Sequence, residues 1–164
     1  MRYKRALIIG AGAGLSASLA RVFASRGMEI ALAARTIDDL NTVATETSAS
    51  VHQCDAASRS SLEALFSEVD KGGAPDVVVY NPSARVAGPF VDVNPDAVEA
   101  AVQVTALGAF HTAQLAAQRM QRNGHGAILF TGASAGVKGF PHSAAFAMGK
   151  FALRGLAQSH CLPS

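Results

Sequence analysis

The sequence predicts an α/β protein built on a doubly wound parallel sheet, and three observations predict it. Short apolar runs alternate with longer stretches of helical period from one end of the chain to the other. The first run, residues 6–9, leads at once into a glycine-rich turn, Gly10-Ala-Gly12-Ala13-Gly14. Leu15, Leu19, Val22 and Phe23 then recur at helical spacing. At 49% hydrophobic and 16% charged, the 164-residue chain has the apolar content of a sheet covered on both faces, which excludes a disordered chain. The length suits one domain over residues 1–164.

The first turn carries the most chemistry. Its glycines permit a tight reversal and close approach of the backbone to a ligand. The helix after it offers free N–H groups and the positive end of its dipole to a phosphate, the arrangement of a dinucleotide site. Gly27 closes that helix. The spacing reads two ways. Gly10-x-Gly12 begins the pattern G-x-G-x-x-G, with Leu15 at its last glycine. Gly10-x-x-x-Gly14-x-Ser16 is the other reading.

Residues 28–33 form the second strand, with Ile30 and Leu32 at its centre and Arg35 just past its end. Thr36 is expected to cap a helix to about residue 48, with Asp38 and Asp39 in its first turn. Residues 51–55 form a short third strand ending in Asp55. Ser58 caps a helix that carries Leu62, Leu65, Phe66 and Val69 on one face, and Gly72-Gly73-Ala-Pro75 breaks it. Residues 76–80 form the fourth strand, ending in the turn Asn81-Pro82-Ser83-Ala84. Asn94 caps a long helix with Pro95 at its first position. This helix is expected to run unbroken to about Arg122, where Gly124 stops it. Residues 127–130 form the fifth strand. A small-residue loop, 131–139, precedes a last helix from near Ser143 past Lys150 and Leu156.

Right-handed crossovers then imply the strand order 3-2-1-4-5. Ligands in such sheets sit at the carboxyl ends of the strands, beside the switch between strands 1 and 4. The loops after Ile9, Ala33, Asp55, Tyr80 and Phe130 are expected to line one crevice. A net charge of 14 − 12 = +2 and the lack of basic–aromatic runs argue against a nucleic-acid partner. No apolar run is long enough for a bilayer, so no membrane partner is expected. Residues 1–5 lead straight into a strand rather than a signal peptide, so a cytoplasmic protein is expected. Cys54 and Cys161 are read as reduced thiols, and the five scattered histidines offer no metal-ligand spacing, so no metal is expected.

The crevice loops resemble those of short-chain dehydrogenases/reductases, and the resemblance extends over essentially the whole chain. Gly10-x-x-x-Gly14-x-Ser16 looks like the family's G-x-x-x-G-x-G cofactor turn, with serine at the third glycine. Asp55 is similar to the acid after strand 3 that contacts adenine. Residues 76–83 resemble D-x-x-V-N-N-A-G, with only the second asparagine, Asn81, kept. Phe146-Ala-Met-Gly-Lys150 resembles Y-x-x-x-K with its tyrosine replaced. The resemblance implies a Rossmann fold and a nicotinamide dinucleotide held by Gly10, Gly12, Ala13, Gly14, Leu15, Arg35, Asp55, Ala56, Asn81 and Lys150. It also implies a small carbonyl or alcohol substrate and a homodimer through the helices at 94–122 and 143–160. The small residues Val98, Ala101, Val102, Thr105, Ala109, Thr112 and Ala116 are expected to allow close helix approach there. Family members continue past the lysine helix with further strands, so the sheet is expected to lack those C-terminal strands.

Cofactor choice follows from charge. Where an acid at the end of strand 2 would hold a ribose 2′-hydroxyl, this chain has Ala34 and then Arg35. Arginine there pairs with a 2′-phosphate, which favours NADP(H) over NAD(H). The catalytic positions depart from the family, which uses serine, tyrosine and lysine, often with an asparagine in the long helix. Lys150 is kept and is expected to hold the nicotinamide ribose. Phe146 stands for the tyrosine and has no ionisable group. Family spacing from Phe146 puts Ala133, rather than Ser134, at the serine, and Thr105 stands for the asparagine. Ser134, Thr105 and Tyr80 are the remaining candidates for catalytic roles, Tyr80 as a substitute proton donor. Two functions fit: an NADP(H)-dependent oxidoreductase with atypical or weak catalysis, and a catalytically inactive cofactor-binding homologue of regulatory or structural role.

Overall fold

Side-chain alternation along the first apolar run builds both halves of the core. In β1 (Arg5–Ile9), Ala6 and Ile8 face one side of the sheet and Leu7 and Ile9 the other, and all four are buried. The computed structural model describes residues 3–159. In chain order the elements are β1, α1 (Leu15–Ser25), β2 (Glu29–Ala34), α2 (Asn41–Thr47), β3 (Ser50–Gln53), α3 (Arg59–Asp70), β4 (Val77–Tyr80), α4 (Pro95–Val102), α5 (Gly108–Asn123), β5 (Ala127–Phe130) and α6 (Ala144–Ser159). The sheet is parallel throughout, in the order β3-β2-β1-β4-β5, and Leu7 pairs with Ala31 on one side and Val78 on the other. This is the doubly wound Rossmann topology expected.

Helices cover both faces. Ala17 and Ala20 of α1, Leu40, and Val43 of α2 pack with Ile8, Ile30, Leu32 and Val79. On the other face, Leu62 and Phe66 of α3, Ala109 and Ala116 of α5 and Leu153 of α6 pack with Leu7, Ala33, Val78 and Tyr80. β5 is the edge strand of the described sheet. Among the described residues no helix is long and apolar enough to cross a membrane. His160 and Cys161, and so the expectation for the Cys161 thiol, lie outside them.

Several local expectations hold because their chemistry is local. Ser58 Oγ accepts from the Ser61 amide at 3.2 Å, and Asn94 Oδ1 accepts from the Asp96 and Ala97 amides at 2.8 and 3.3 Å. Gly124 ends α5 at φ +72°.

Three expectations are corrected. The helix placed after Thr36 starts later, with a 3-10 turn at Asp38–Leu40 and then α2, and Thr36 is not its cap. Leu40 is fully buried and fixes where the chain turns inward. The long helix from Asn94 is interrupted by a π-helical turn at Gln103–Leu107, and α5 restarts at Gly108. The cause is a close approach: a Cβ on Gly108 would overlap the Ala56 carbonyl and the Tyr80 hydroxyl. The wide turn leaves the Val104 carbonyl to accept from that hydroxyl. The small residues expected at a dimer face are mostly internal. Ala101, Thr105, Ala109, Thr112 and Ala116 are buried within the chain. Thr105 packs against Gly149 of α6, where a Cβ would come within 2.8 Å of its side chain.

At the amino ends of the strands, Asp76 ties β1 to β4. Its Oδ2 accepts from the Lys4 and Arg5 amides at 2.6 and 3.0 Å, and its Oδ1 lies 2.9 Å from His125 Nε2. Burial opposes the carboxylate's charge, but those two amides and His125 outweigh it and hold its pKa below the usual carboxylate range. A depressed folded-state pKa means stabilisation that is full above the unfolded value and lost as pH falls through the folded one. We predict that Asp76→Ala lowers the unfolding free energy at pH 7 by roughly 1.5–3 kcal/mol in urea titrations. The deficit should shrink as pH drops below about 4; a deficit independent of pH would contradict this role.

Candidate functional site

The carboxyl ends of β1, β2, β3 and β4 open into a crevice of about 290 Å³. Gly10 shapes it. At φ +75° this residue turns the chain, its amide and that of Ala11 donate to the Ala33 carbonyl, and a Cβ would come within 2.7 Å of Pro82. The β1 and β4 loops therefore touch across the crevice floor. No side chain caps α1; the Ala17 amide donates to the Gly12 carbonyl at 3.2 Å, and the Leu15 and Ser16 amides of the first turn are left for a ligand. A Cβ on Gly12 or Gly14 would meet nothing within 4 Å, so the turn looks onto open space.

Of the residues expected to bind a dinucleotide, Gly10, Arg35, Asp55 and Ala56 line this crevice, with Thr36 and Pro82 to Ala84. Ala13, Gly14 and Leu15 are exposed at the start of α1. Arg35 is also exposed, and no acid among the described residues pairs with it. Asp55 Oδ1 accepts from the Ala57 amide at 3.0 Å, which sets the loop after β3.

Asn81 and Lys150 do not line that crevice; a chain of hydrogen bonds couples them to it. Asn81 Nδ2 donates to the Gly10 carbonyl and to Ser16 Oγ, each at 3.0 Å. Ser16 Oγ donates to the same carbonyl at 3.2 Å. Thr131 Oγ1 donates to Asn81 Oδ1 at 2.8 Å, and the Thr131 carbonyl accepts from Lys150 Nζ at 2.6 Å. Lys150 is only 4% exposed and lines a second cavity of about 440 Å³ with Gly132, Ala133, Gly136 and Val137. Burial, and then the charge of Arg85, push its pKa below the usual lysine value.

The other catalytic candidates separate. Ala133 faces the Lys150 cavity, while Ser134 is exposed, starts a 3-10 turn and lies outside both cavities. Phe146 is buried one helical turn before Lys150, whose Nζ is 5.7 Å from its ring centre. Thr105 is buried, and its Oγ1 accepts from the Ala84 amide at 3.1 Å, so it fixes the loop after β4. Tyr80 is fully buried and faces α5, not the crevice. Burial, then Cys54 and Asp55, push its pKa far above that of a free phenol. Thr105 and Tyr80 thus hold backbone in place, and neither hydroxyl reaches a cavity described above.

Ser16, Thr131 and Arg85 were not picked out as site residues by sequence reasoning. Ser16 had a signal, a serine at the third-glycine position of the turn, and Arg85 lies in a loop already expected to line the crevice. Nothing in the sequence marked Thr131 beyond its place after β5.

Comparison with known proteins agrees with this geometry. The short chain dehydrogenase family model matches residues 4–163. The 7alpha-hydroxysteroid dehydrogenase of Escherichia coli (strain K12) is 33% identical over 132 residues, 77% of this chain and 51% of that protein. The cyclic-di-GMP-binding biofilm dispersal mediator protein of the same organism is 31% identical over 160 residues, 94% of this chain and 64% of that protein. The chain thus spans between half and two thirds of the length of these curated relatives. A metagenomic short-chain oxidoreductase solved in complex with NADP superposes with a TM-score of 0.90 at 27% identity, covering 95% of this chain and 74% of that one.

The buried placement of Tyr80 generates a prediction. Tyr80→Phe strands the Val104 carbonyl and should lower stability by about 1–2 kcal/mol, read by urea unfolding. An unfolding curve identical to that of the parent would show that the hydroxyl is not needed there.

Proposed function

The chain belongs to the short-chain dehydrogenase family, and from that premise we propose that it binds NADP(H) and acts as a weak oxidoreductase on a small carbonyl or alcohol substrate. The observation that carries the cofactor reading is Arg35. It sits at the crevice wall beside neutral Ala34, with no acid pairing it among the described residues, and so suits a 2′-phosphate. The uncapped start of α1 suits the pyrophosphate, and Asp55 and Ala56, at the crevice wall, would hold the adenine end. The NADP complex of the structural neighbour supports the same choice. When bound, NADP(H) supplies or accepts the hydride.

This chain's own residues then limit the rate. A developing alkoxide needs a proton, and Phe146 has none to give. Ala133 stands beside Lys150 where a hydroxyl would orient the carbonyl. Lys150 holds its ammonium against the Thr131 carbonyl, which suits it to position a ribose from the second cavity. A second reading, cofactor binding without turnover, draws on the same two replacements, and one relative carries a name for binding rather than for a reaction. For assembly, the exposed Leu107 and Phe110 near the start of α5, with Met148 and Phe151 of α6, support a homodimer face in place of the buried small residues.

NADPH and NADH fluorescence titrations test the cofactor. NADPH should bind about ten- to a hundredfold tighter, and Arg35→Asp should erase the difference; equal binding by the parent chain would contradict the reading. A carbonyl panel with NADPH then tests the chemistry. Phe146→Tyr with Ala133→Ser should raise turnover by more than the product of the single gains, because these groups act as a unit. Parent turnover on the order of 10 per second would refute weak catalysis. Binding with no turnover in any variant would favour the second reading.

A further inference from the structure

Two cations, one of them Lys150, share one aromatic ring, and neither the ring nor Arg85 lines either cavity. The guanidinium carbon of Arg85 lies 4.2 Å from the centre of the Phe146 ring, and Lys150 Nζ lies 5.7 Å from the same centre. Arg85 comes from the loop after β4 and is exposed, while Phe146 and Lys150 are buried. Ring attraction for a cation is modest, about 0.5–2 kcal/mol, and it neutralises no charge. Lys150 is matched only by a neutral carbonyl. Among the described residues no carboxylate pairs with either cation, and no acceptor takes a hydrogen bond from Arg85. Both charges therefore stand uncompensated around the ring. Burial, and after it the charge of Arg85, lowers the pKa of Lys150.

We propose that Arg85 is the substrate anchor of this site and binds the carboxylate of an oxo- or hydroxy-acid, whose carbonyl or hydroxyl group then lies beside Phe146. The planar fork of an arginine matches a carboxylate through two parallel hydrogen bonds. Stacking on a buried ring holds the guanidinium in place before a ligand arrives, which lowers the ordering cost of binding. An anion there also relieves the repulsion between Arg85 and Lys150. This assignment rests on the oxidoreductase reading for the position of the reacting group, but the anion site itself depends only on Arg85, Phe146 and Lys150.

The test uses the full chain and two matched probes, benzoylformate and its methyl ester, titrated calorimetrically into NADPH-saturated protein. Benzoylformate should bind at least about tenfold tighter than the ester. Arg85→Gln should abolish the difference and Arg85→Lys should keep part of it, with the NADPH affinity of each variant within about twofold of the parent. Equal binding of acid and ester, no binding of benzoylformate, or a preference that survives Arg85→Gln would overturn the proposal. Loss of NADPH affinity in Arg85→Gln would assign the arginine to the cofactor instead and also overturn it. Inorganic phosphate binding as tightly as benzoylformate would overturn the choice of carboxylate. If the parent chain fails to bind NADPH, the oxidoreductase reading fails separately. The same titrations without cofactor then decide the anion site, which an Arg85-dependent preference for the acid supports and its absence refutes.

Discussion

One side-chain amide holds the two halves of the site together. Gly10 must turn with positive φ for the crevice to form, and its carbonyl then needs a donor. Asn81 supplies one, and its oxygen accepts from Thr131, whose carbonyl in turn fixes Lys150. An amide suits both ends because it donates through its nitrogen and accepts through its oxygen. Aspartate would put acceptors against the Gly10 carbonyl, and leucine would leave the Gly10, Ser16 and Thr131 groups short of a partner. The positions of the glycine turn and of the lysine are thus not independent. Each is set by a residue just after β4, the strand at the switch in strand order beside β1.

The same chemistry separates the polar groups that hold backbone from the apolar side chains around Lys150. Ser16, Asn81, Thr131 and Lys150 form one connected set at the carboxyl ends of the strands, while Tyr80 and Thr105 behind the loop after β4 and Asp76 at the amino ends hold backbone separately. Buried polar groups of this kind are costly unless matched, so each is tied to the fold as a whole. Phe146 and Ala133 belong to no such network. Their side chains carry no polar atom that could join one, although Phe146 is buried. The Phe146 ring provides instead a seat for Arg85, which a phenol would share with its own hydroxyl chemistry.

Most of the fold was legible because its signals are local or periodic. The strands, their order, the Ser58 and Asn94 caps and the Gly124 stop follow from apolar runs and side-chain chemistry within a few residues. The π-helical turn was not legible, because it arises where Gly108 meets Ala56 and Tyr80, residues far apart in sequence. The stripe of small residues from Ala101 to Ala116 misled for a related reason. Small residues allow close approach, but the pattern does not say whether the neighbour is another chain or the chain's own sheet. The direction of Tyr80 was readable: the two-residue period of a strand puts it on the face of Val78, under α5. In the site, the glycine turn, Arg35, Asp55 and Lys150 were readable from motif positions. Ser16 and Thr131 act only through Asn81, and Arg85 through a ring it meets in space.

The central claim is that Asn81 couples the glycine turn to the lysine loop, and a double-mutant cycle measures it. Ser16→Ala and Thr131→Val each remove one partner of Asn81 from opposite sides, and Asn81 joins the two. Their effects on the unfolding free energy should deviate from additivity by more than about 0.5 kcal/mol, and the deviation should vanish when the cycle is repeated on Asn81→Ala. Additive effects within about 0.3 kcal/mol in the parent chain would show that the turn and the lysine loop are held independently.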